Sequence, residues 1–200
     1  MALFFSADWH LGEDRFKLMG RPFSTQQEHV DFLVAKHNAV VKPEDTLWMV
    51  GDAVYKNAKE FLPQVARFNG TKVLYRGNHD VVFTDEELKQ YFSEIVPEGD
   101  GRIINLGDVT CWVTHYPTQG KEDMFNIVGH IHAAWKFQLN MLNVGVDVHH
   151  FAPVPAVEVP GHLTAISKFY DRDVWVGYEE MNAKYRETRG GKGRYFQPKA

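Results

Sequence analysis

Thr46-Leu47-Trp48-Met49-Val50-Gly51-Asp52 is a short apolar run that stops at a glycine and an acid. A run of this kind reads as a strand buried on both faces, as in a parallel sheet. Upstream, Ser24 and Gln27 form a capping box. Val30, Leu33, Val34, His37 and Val41 then recur at helical spacing until Lys42-Pro43 ends the helix. Before that helix, Leu3 to Ser6 is a strand running into Ala7-Asp8-Trp9-His10, and Gly12 to Phe23 is a polar loop. Downstream, Phe61, Leu62, Val65, Ala66 and Phe68 predict a second helix, and Asn69-Gly70 a turn. Lys72-Val73-Leu74-Tyr75 is the next strand, closing in Gly77-Asn78-His79-Asp80. The order β-α-β-α-β defines an α/β layered sheet.

After a helix predicted near Asp85 to Phe92 the pattern changes. Ile103 to Leu106 and Val109 to Val113 flank Gly107-Asp108 as a hairpin, followed by Thr114-His115-Tyr116-Pro117. Asn126-Ile127-Val128 is a strand that ends in Gly129-His130-Ile131-His132, and Leu139 to Val144 is a further strand. Residues 1–180 are expected to form the folded domain and 181–200 a basic tail. From Lys184 the tail carries Arg186, Arg189, Lys192, Arg194 and Lys199 against the single acid Glu187, with Tyr185, Tyr195 and Phe196 interleaved. A soluble terminus is the expected role, with single-stranded nucleic acid as the alternative ligand.

The chain has 200 residues, 44% hydrophobic and 24% charged, with a formal net charge of −4. These values exclude a disordered chain, a collagen or a coiled coil, and argue against bulk electrostatic binding of nucleic acid. No run of eighteen apolar residues predicts a membrane span, and the N-terminus reads as a strand rather than a signal peptide. Cys111 is the only cysteine, so a reducing, cytoplasmic setting is expected. Histidine, by contrast, occurs ten times.

Five of the histidines, with two acids and an amide, fall at the predicted strand ends: Asp8 and His10, then Asp52, then Asn78 and His79, then His115, then His130 and His132. In open α/β sheets ligands bind beyond the carboxyl ends of strands. Residues i and i+2 of an extended chain share a face, which pairs Asp8 with His10 and His130 with His132 and turns Trp9 and Ile131 into packing. Two carboxylates, four imidazoles and an amide are too many for one tetrahedral zinc. They suit two divalent ions, with one carboxylate bridging at a separation of ~3.5–4 Å. Such a pair generates hydroxide at neutral pH, a nucleophile suited to phosphorus. The ligand set fits Mn first, with Ni, Fe and Zn also admitted.

Asp8-x-His10, Gly51-Asp52, Gly77-Asn78-His79-Asp80, His115 and Gly129-His130-x-His132 together resemble the ordered motif set of the calcineurin-like metallophosphoesterases. The resemblance spans about residues 3 to 150 and implies a layered αββα sandwich, two mixed sheets flanked by helices. It implies that Asp8, His10, Asp52 and His132 hold one metal and Asp52, Asn78, His115 and His130 the other. His79 is then no ligand; it protonates the leaving oxygen or stabilises the transition state. Asp80 orients His79 or caps the following turn. Arg21-Pro22-Phe23, Asn38 and Leu142-Asn143-Val144-Gly145-Val146-Asp147 are similar to a group of small bacterial and phage phosphoesterases.

The activity implied is hydrolysis of phosphodiesters or phosphomonoesters. A nuclease or nucleic-acid end-processing phosphatase is the alternative, and a non-catalytic scaffold binding a protein is another. Asn78, His79 and Arg21 are the candidate substrate-binding residues, Arg21 as a bidentate phosphate clamp. The partner expected is a phosphate ester, nucleotide or nucleic acid included. His37 is assigned to packing, and His149, His150 and His162 to surface loops. Trp9, Trp48, Trp112 and Cys111 are assigned to the core.

Overall fold

A computed structural model describes residues 1–169. Met1–Leu163 form one compact unit. The expected tail at 181–200 lies outside the described residues. In chain order the strands and helices are β1 (Leu3–Ser6), α1 (Phe16–Met19), α2 (Gln26–Asn38), β2 (Thr46–Met49), β3 (Thr71–Tyr75), α3 (Asp85–Leu88) and β4 (Glu94–Val96). Then come β5 (Gly101–Leu106), β6 (Val109–Thr114), β7 (Phe125–Val128), β8 (Phe137–Gln138), β9 (Met141–Asn143), β10 (Val154–Pro155) and α4 (Val159–Phe169).

Two mixed five-stranded sheets form a layered sandwich with flanking helices, as expected. The first has the order β10-β1-β2-β3-β4 and the second β5-β6-β7-β9-β8. β1 to β4 run parallel, with β10 antiparallel on the edge. Alternation along the parallel strands divides their faces. Phe4, Leu47, Met49 and Leu74 pack in one core with Val30 and Leu33 of α2 and with Leu62 and Val65. Phe5, Trp48 and Tyr75 take the opposite face in ring contacts of 5.8 and 5.4 Å. Trp9 stacks on Phe68 at 4.0 Å and donates to Ser6 Oγ, which fixes the chain leaving β1.

Several elements depart from the sequence expectation. Thr25, not Ser24, caps α2: its side chain accepts from Glu28 N–H, while the Glu28 carboxylate reaches back to Ser24 N–H. The second predicted helix is a 3-10 helix over Lys59–Arg67, with Pro63 inside it, where the proline ring would clash with the carbonyl four residues back in an α-helix. α3 stops at Leu88, short of Phe92. Leu139 lies in a turn at φ 51° between β8 and β9, not in one continuous strand. β4 and β10, three and two residues long, are too short to show a periodicity. Trp48 and Trp112 are half-buried, not core.

The strand ends of the two sheets converge. Ala7 N–H donates to Val144 C=O, and Val146 N–H to Ala7 C=O, at 3.0 and 3.1 Å. A side chain at Gly129 would meet Ala7 Cβ and Val50 C=O at 2.7 Å, so that loop passes where only glycine fits.

Candidate metal centre

The residues at the strand ends are not extended. Asp8, His10, Asp52, His130 and His132 all have positive φ, from 48° to 75°. For non-glycine residues this left-handed conformation carries strain and collects at functional sites. The extended i, i+2 pairing expected for Asp8/His10 and His130/His132 is therefore corrected. Each chain curls as it leaves its strand, and hydrogen bonds hold the curl. Asp8 N–H donates to Gly51 C=O and His10 N–H to Asp52 C=O, both at 3.0 Å.

The curls bring the expected ligands together. His10 Nε2 lies 3.5 Å from Asp52 Oδ2, and His115 Nε2 lies 3.6 Å from the same oxygen. Asp8, His10 and His132 offer nitrogen and oxygen atoms within 4.8 Å of one another, and so do Asp52, His115 and His130. His10, Asp52 and His79 form a third such group. The Asp8 carboxylate accepts from His130 N–H at 3.0 Å, which ties the loop after β7 to the end of β1.

Tautomers follow from the partners. His115 Nδ1 lies 2.8 Å from Val50 C=O, which can only accept, so Nδ1 carries the proton and Nε2 presents a lone pair. His132 Nδ1 donates to Asp147 Oδ2 at 2.9 Å, leaving its Nε2 free likewise. His79 is the reverse. Its Nδ1 accepts from Lys56 N–H at 3.4 Å, so the neutral ring keeps a proton on Nε2. Its ring stands 4.5 Å from that of His10. Burial and the Lys56 charge push this imidazole down to about 4.

The donor set fits divalent cations. Both nitrogens of His10, Nε2 of His115 and Oδ1 of Asn78 are buried with no hydrogen-bond partner. Unpaired buried polar atoms are costly, and several converging on one carboxylate call for a ligand. Burial pushes Asp8 and Asp52 up to about 8; the Asp52 charge adds to the shift on Asp8, and the Asp80 charge to that on Asp52. Among the described residues no lysine or arginine pairs with either carboxylate. A buried anion lacking a counter-charge is the environment a cation relieves.

Two expected roles are corrected. Asp80 does not touch the His79 ring. Its carboxylate accepts from the N–H groups of Asp52, Ala53 and Gly77 at 2.7, 3.1 and 2.9 Å, and so fixes two motif loops against each other. Asp52 in turn accepts His79 N–H at 2.8 Å through Oδ1. Arg21 is not a phosphate clamp. It is 4% exposed, and all five of its N–H directions are used. They meet both oxygens of Asp147, the carbonyls of Asp8 and Trp9, and His29 Nε2. Burial opposes ionisation of Asp147, but hydrogen bonds from His132 and Arg21 outweigh it and hold the acid down to about 2. Arg21 therefore anchors the acid that orients His132, a role hidden by the 126 residues that separate the two.

His37 packs against Trp9 and Phe68, as expected. His149, assigned to the surface, instead holds Asn143 C=O at 2.7 Å. Glycines complete the site: a Cβ at Gly51 would collide with the His115 ring, and one at Gly77 with Asp52 Oδ1 and His115 Nε2.

An Asp carboxylate between two imidazole groups at the edge of a two-sheet sandwich defines a metal-binding site of the phosphoesterase kind. The chain belongs to the calcineurin-like phosphoesterase family, whose model matches residues 1–185. Among solved structures it is similar to the protein of unknown function AQ665 from Aquifex aeolicus, at 26% identity and a TM-score of 0.62, over 80% of this chain and 98% of that one. A second similar structure is the Pseudomonas putida nuclease MPE, at 22% identity and a TM-score of 0.46, over 65% of this chain and 61% of that one. No curated protein matched the chain. Among the described residues no helix is long and apolar enough to cross a membrane.

Proposed function

We propose that the chain is a two-metal phosphoesterase acting on phosphodiesters, with phosphomonoesters as the lesser substrate. The observation that carries this reading is the Asp52 carboxylate, with His10 Nε2 and His115 Nε2 at 3.5 and 3.6 Å on one oxygen and no other partner for either nitrogen. Asp8, His10 and His132 would hold one ion and Asn78, His115 and His130 the other, with Asp52 shared. Divalent ions there supply Lewis acidity and a water of lowered pKa. Manganese suits this nitrogen and oxygen set, as do nickel, iron and zinc.

The chain's own groups do the rest. With Nδ1 taken by Lys56 N–H, the Nε2–H of His79, whose ring stands next to that of His10, would hold a phosphoryl or leaving oxygen. Being neutral, it adds no second cation and keeps its proton at working pH. Asn78 would contribute its amide at the same edge. The segment from Asp80 to His115 is spent on α3, β4 and the β5–β6 hairpin, which leaves no cap domain there. His132, with 31% of its side chain exposed, lies at the mouth of an open site. Openness favours a diester with two substituents over a small enclosed monoester.

Metal-stripped protein titrated with Mn, Ni and Zn, assayed on an aryl phosphodiester and the matching monoester, tests the reading. Metal-dependent turnover, faster on the diester, is expected. Two ions bound with no turnover of either ester would overturn it in favour of a scaffold.

A further inference from the structure

Beside His79 stands a cation that the reaction does not require. Arg15 leaves half of its side chain exposed, yet it is held in place. The Glu13 carboxylate beneath it is 1% exposed and accepts four hydrogen bonds, from the N–H groups of Asp14 and Arg15 and from Nε and Nη2 of Arg15, at 2.7 to 3.0 Å. The guanidinium carbon lies 4.9 Å over the Tyr55 ring, and that ring lies 5.2 Å from the ring of His79. Nη1 makes no hydrogen bond among the described residues. Lys56, the residue after Tyr55, donates its backbone N–H to His79 Nδ1, and its side chain is exposed and forms no ion pair among the described residues.

An exposed arginine ordinarily moves freely, and fixing one costs side-chain entropy. Here a buried carboxylate and an aromatic ring fix it with one edge left open. A planar guanidinium edge recognises paired anionic oxygens. We propose that Arg15, together with Lys56, binds a second phosphate group of the substrate next to the ester that is cleaved. The substrate class is then a phosphate ester carrying a neighbouring phosphate, as a nucleoside bisphosphate or a nucleic-acid strand does. This rests on the phosphoesterase reading only in taking His79 to mark the reacting edge.

The test is equilibrium binding, so it does not depend on turnover. Manganese-loaded protein is titrated with thymidine 3′-monophosphate, thymidine 3′,5′-bisphosphate and a twelve-nucleotide single strand. The bisphosphate is expected to bind roughly tenfold more tightly than the monophosphate, as a hydrogen bond to a charged group predicts. In Arg15→Gln that ratio falls toward one. Arg15→Lys recovers part of it, and Glu13→Gln, which loosens the arginine but keeps its charge, gives an intermediate ratio. Tighter binding of the strand than of the bisphosphate would identify nucleic acid as the source; equal binding would identify a small molecule. Equal affinity for mono- and bisphosphate in the wild type, or a ratio untouched by Arg15→Gln, overturns the proposal. A retained ratio in a protein that hydrolyses nothing would sink the phosphoesterase reading and leave this one standing.

Discussion

The floor and the rim of the site are built differently. On the floor, Asp8, His10, Asp52, Asp80 and His115 are all at most 2% exposed, and backbone hydrogen bonds or buried carboxylates fix them. On the rim, Asn78, His79 and His132 are partly open, and Arg15 and Lys56 are exposed. A buried, pre-ordered floor suits ions, whose ligands must sit at fixed distances without reorganising. An open rim suits an extended substrate. The floor, with Asn78 and His132 reaching in from the rim, should therefore govern whether metal is held, and His79, Arg15 and Lys56 what is done with it.

Replacing the shared carboxylate, Asp52→Asn, should have the largest effect. Turnover falls to background, and elemental analysis shows fewer ions per chain. If the variant kept two ions and full activity, Asp52 would not bridge. Next comes His79→Asn on the rim. A loss of about 10²- to 10³-fold in kcat is expected, with metal content unchanged. Loss of metal in that variant would move His79 from the rim to the floor.

Asp147→Asn probes the join between the two regions, because it removes the charge that connects buried Arg21 to partly exposed His132. Removing the partner of a ligating histidine typically lowers metal affinity about 10- to 100-fold. Titration calorimetry with manganese measures it. If only the melting temperature fell while metal affinity held, Arg21 and Asp147 would be braces for the fold and nothing more.

How far the sequence revealed the two regions follows from the range of the contacts involved. Strand-end residues were legible because an apolar run that stops at Gly-Asp or Gly-Asn-His is local information. Six of the seven expected ligands, all but Asn78, fall into groups of carboxylate and imidazole donors within 4.8 Å of one another. Their mode of presentation was not legible. The left-handed turns at Asp8 and His10 depend on hydrogen bonds to the segment after β2, about forty residues away in the chain, so an extended i, i+2 pattern looked sufficient. Arg21 and Asp80 were misassigned for the same reason. A loop arginine reads as a phosphate clamp until its distant acid is known, and an acid beside a histidine reads as that histidine's partner until three backbone N–H groups claim it. The rim residues Arg15, Tyr55 and Lys56 carried no spacing signal, since their relation to His79 exists only after folding.

The smallest effect on the site is expected from a histidine that belongs to neither region. His37 donates through Nε2 to Asn69 C=O at 3.0 Å, and its Nδ1 is buried without a partner. Burial pushes it down to about 4 from an ordinary value of 6.5, with the Lys72 charge adding to the shift. The unfolded chain therefore binds a proton between those values that the folded chain refuses. Stability is fully present above about pH 6.5 and is lost as pH falls toward 4, by up to about 3 kcal/mol from this group. His37→Gln keeps a donor for Asn69 but does not titrate. Its urea midpoint should fall less steeply than the wild type's across that window, while metal binding at neutral pH stays as it was. Equal slopes would mean that the acid sensitivity comes from the other buried histidines, His29 and His149 or those of the floor.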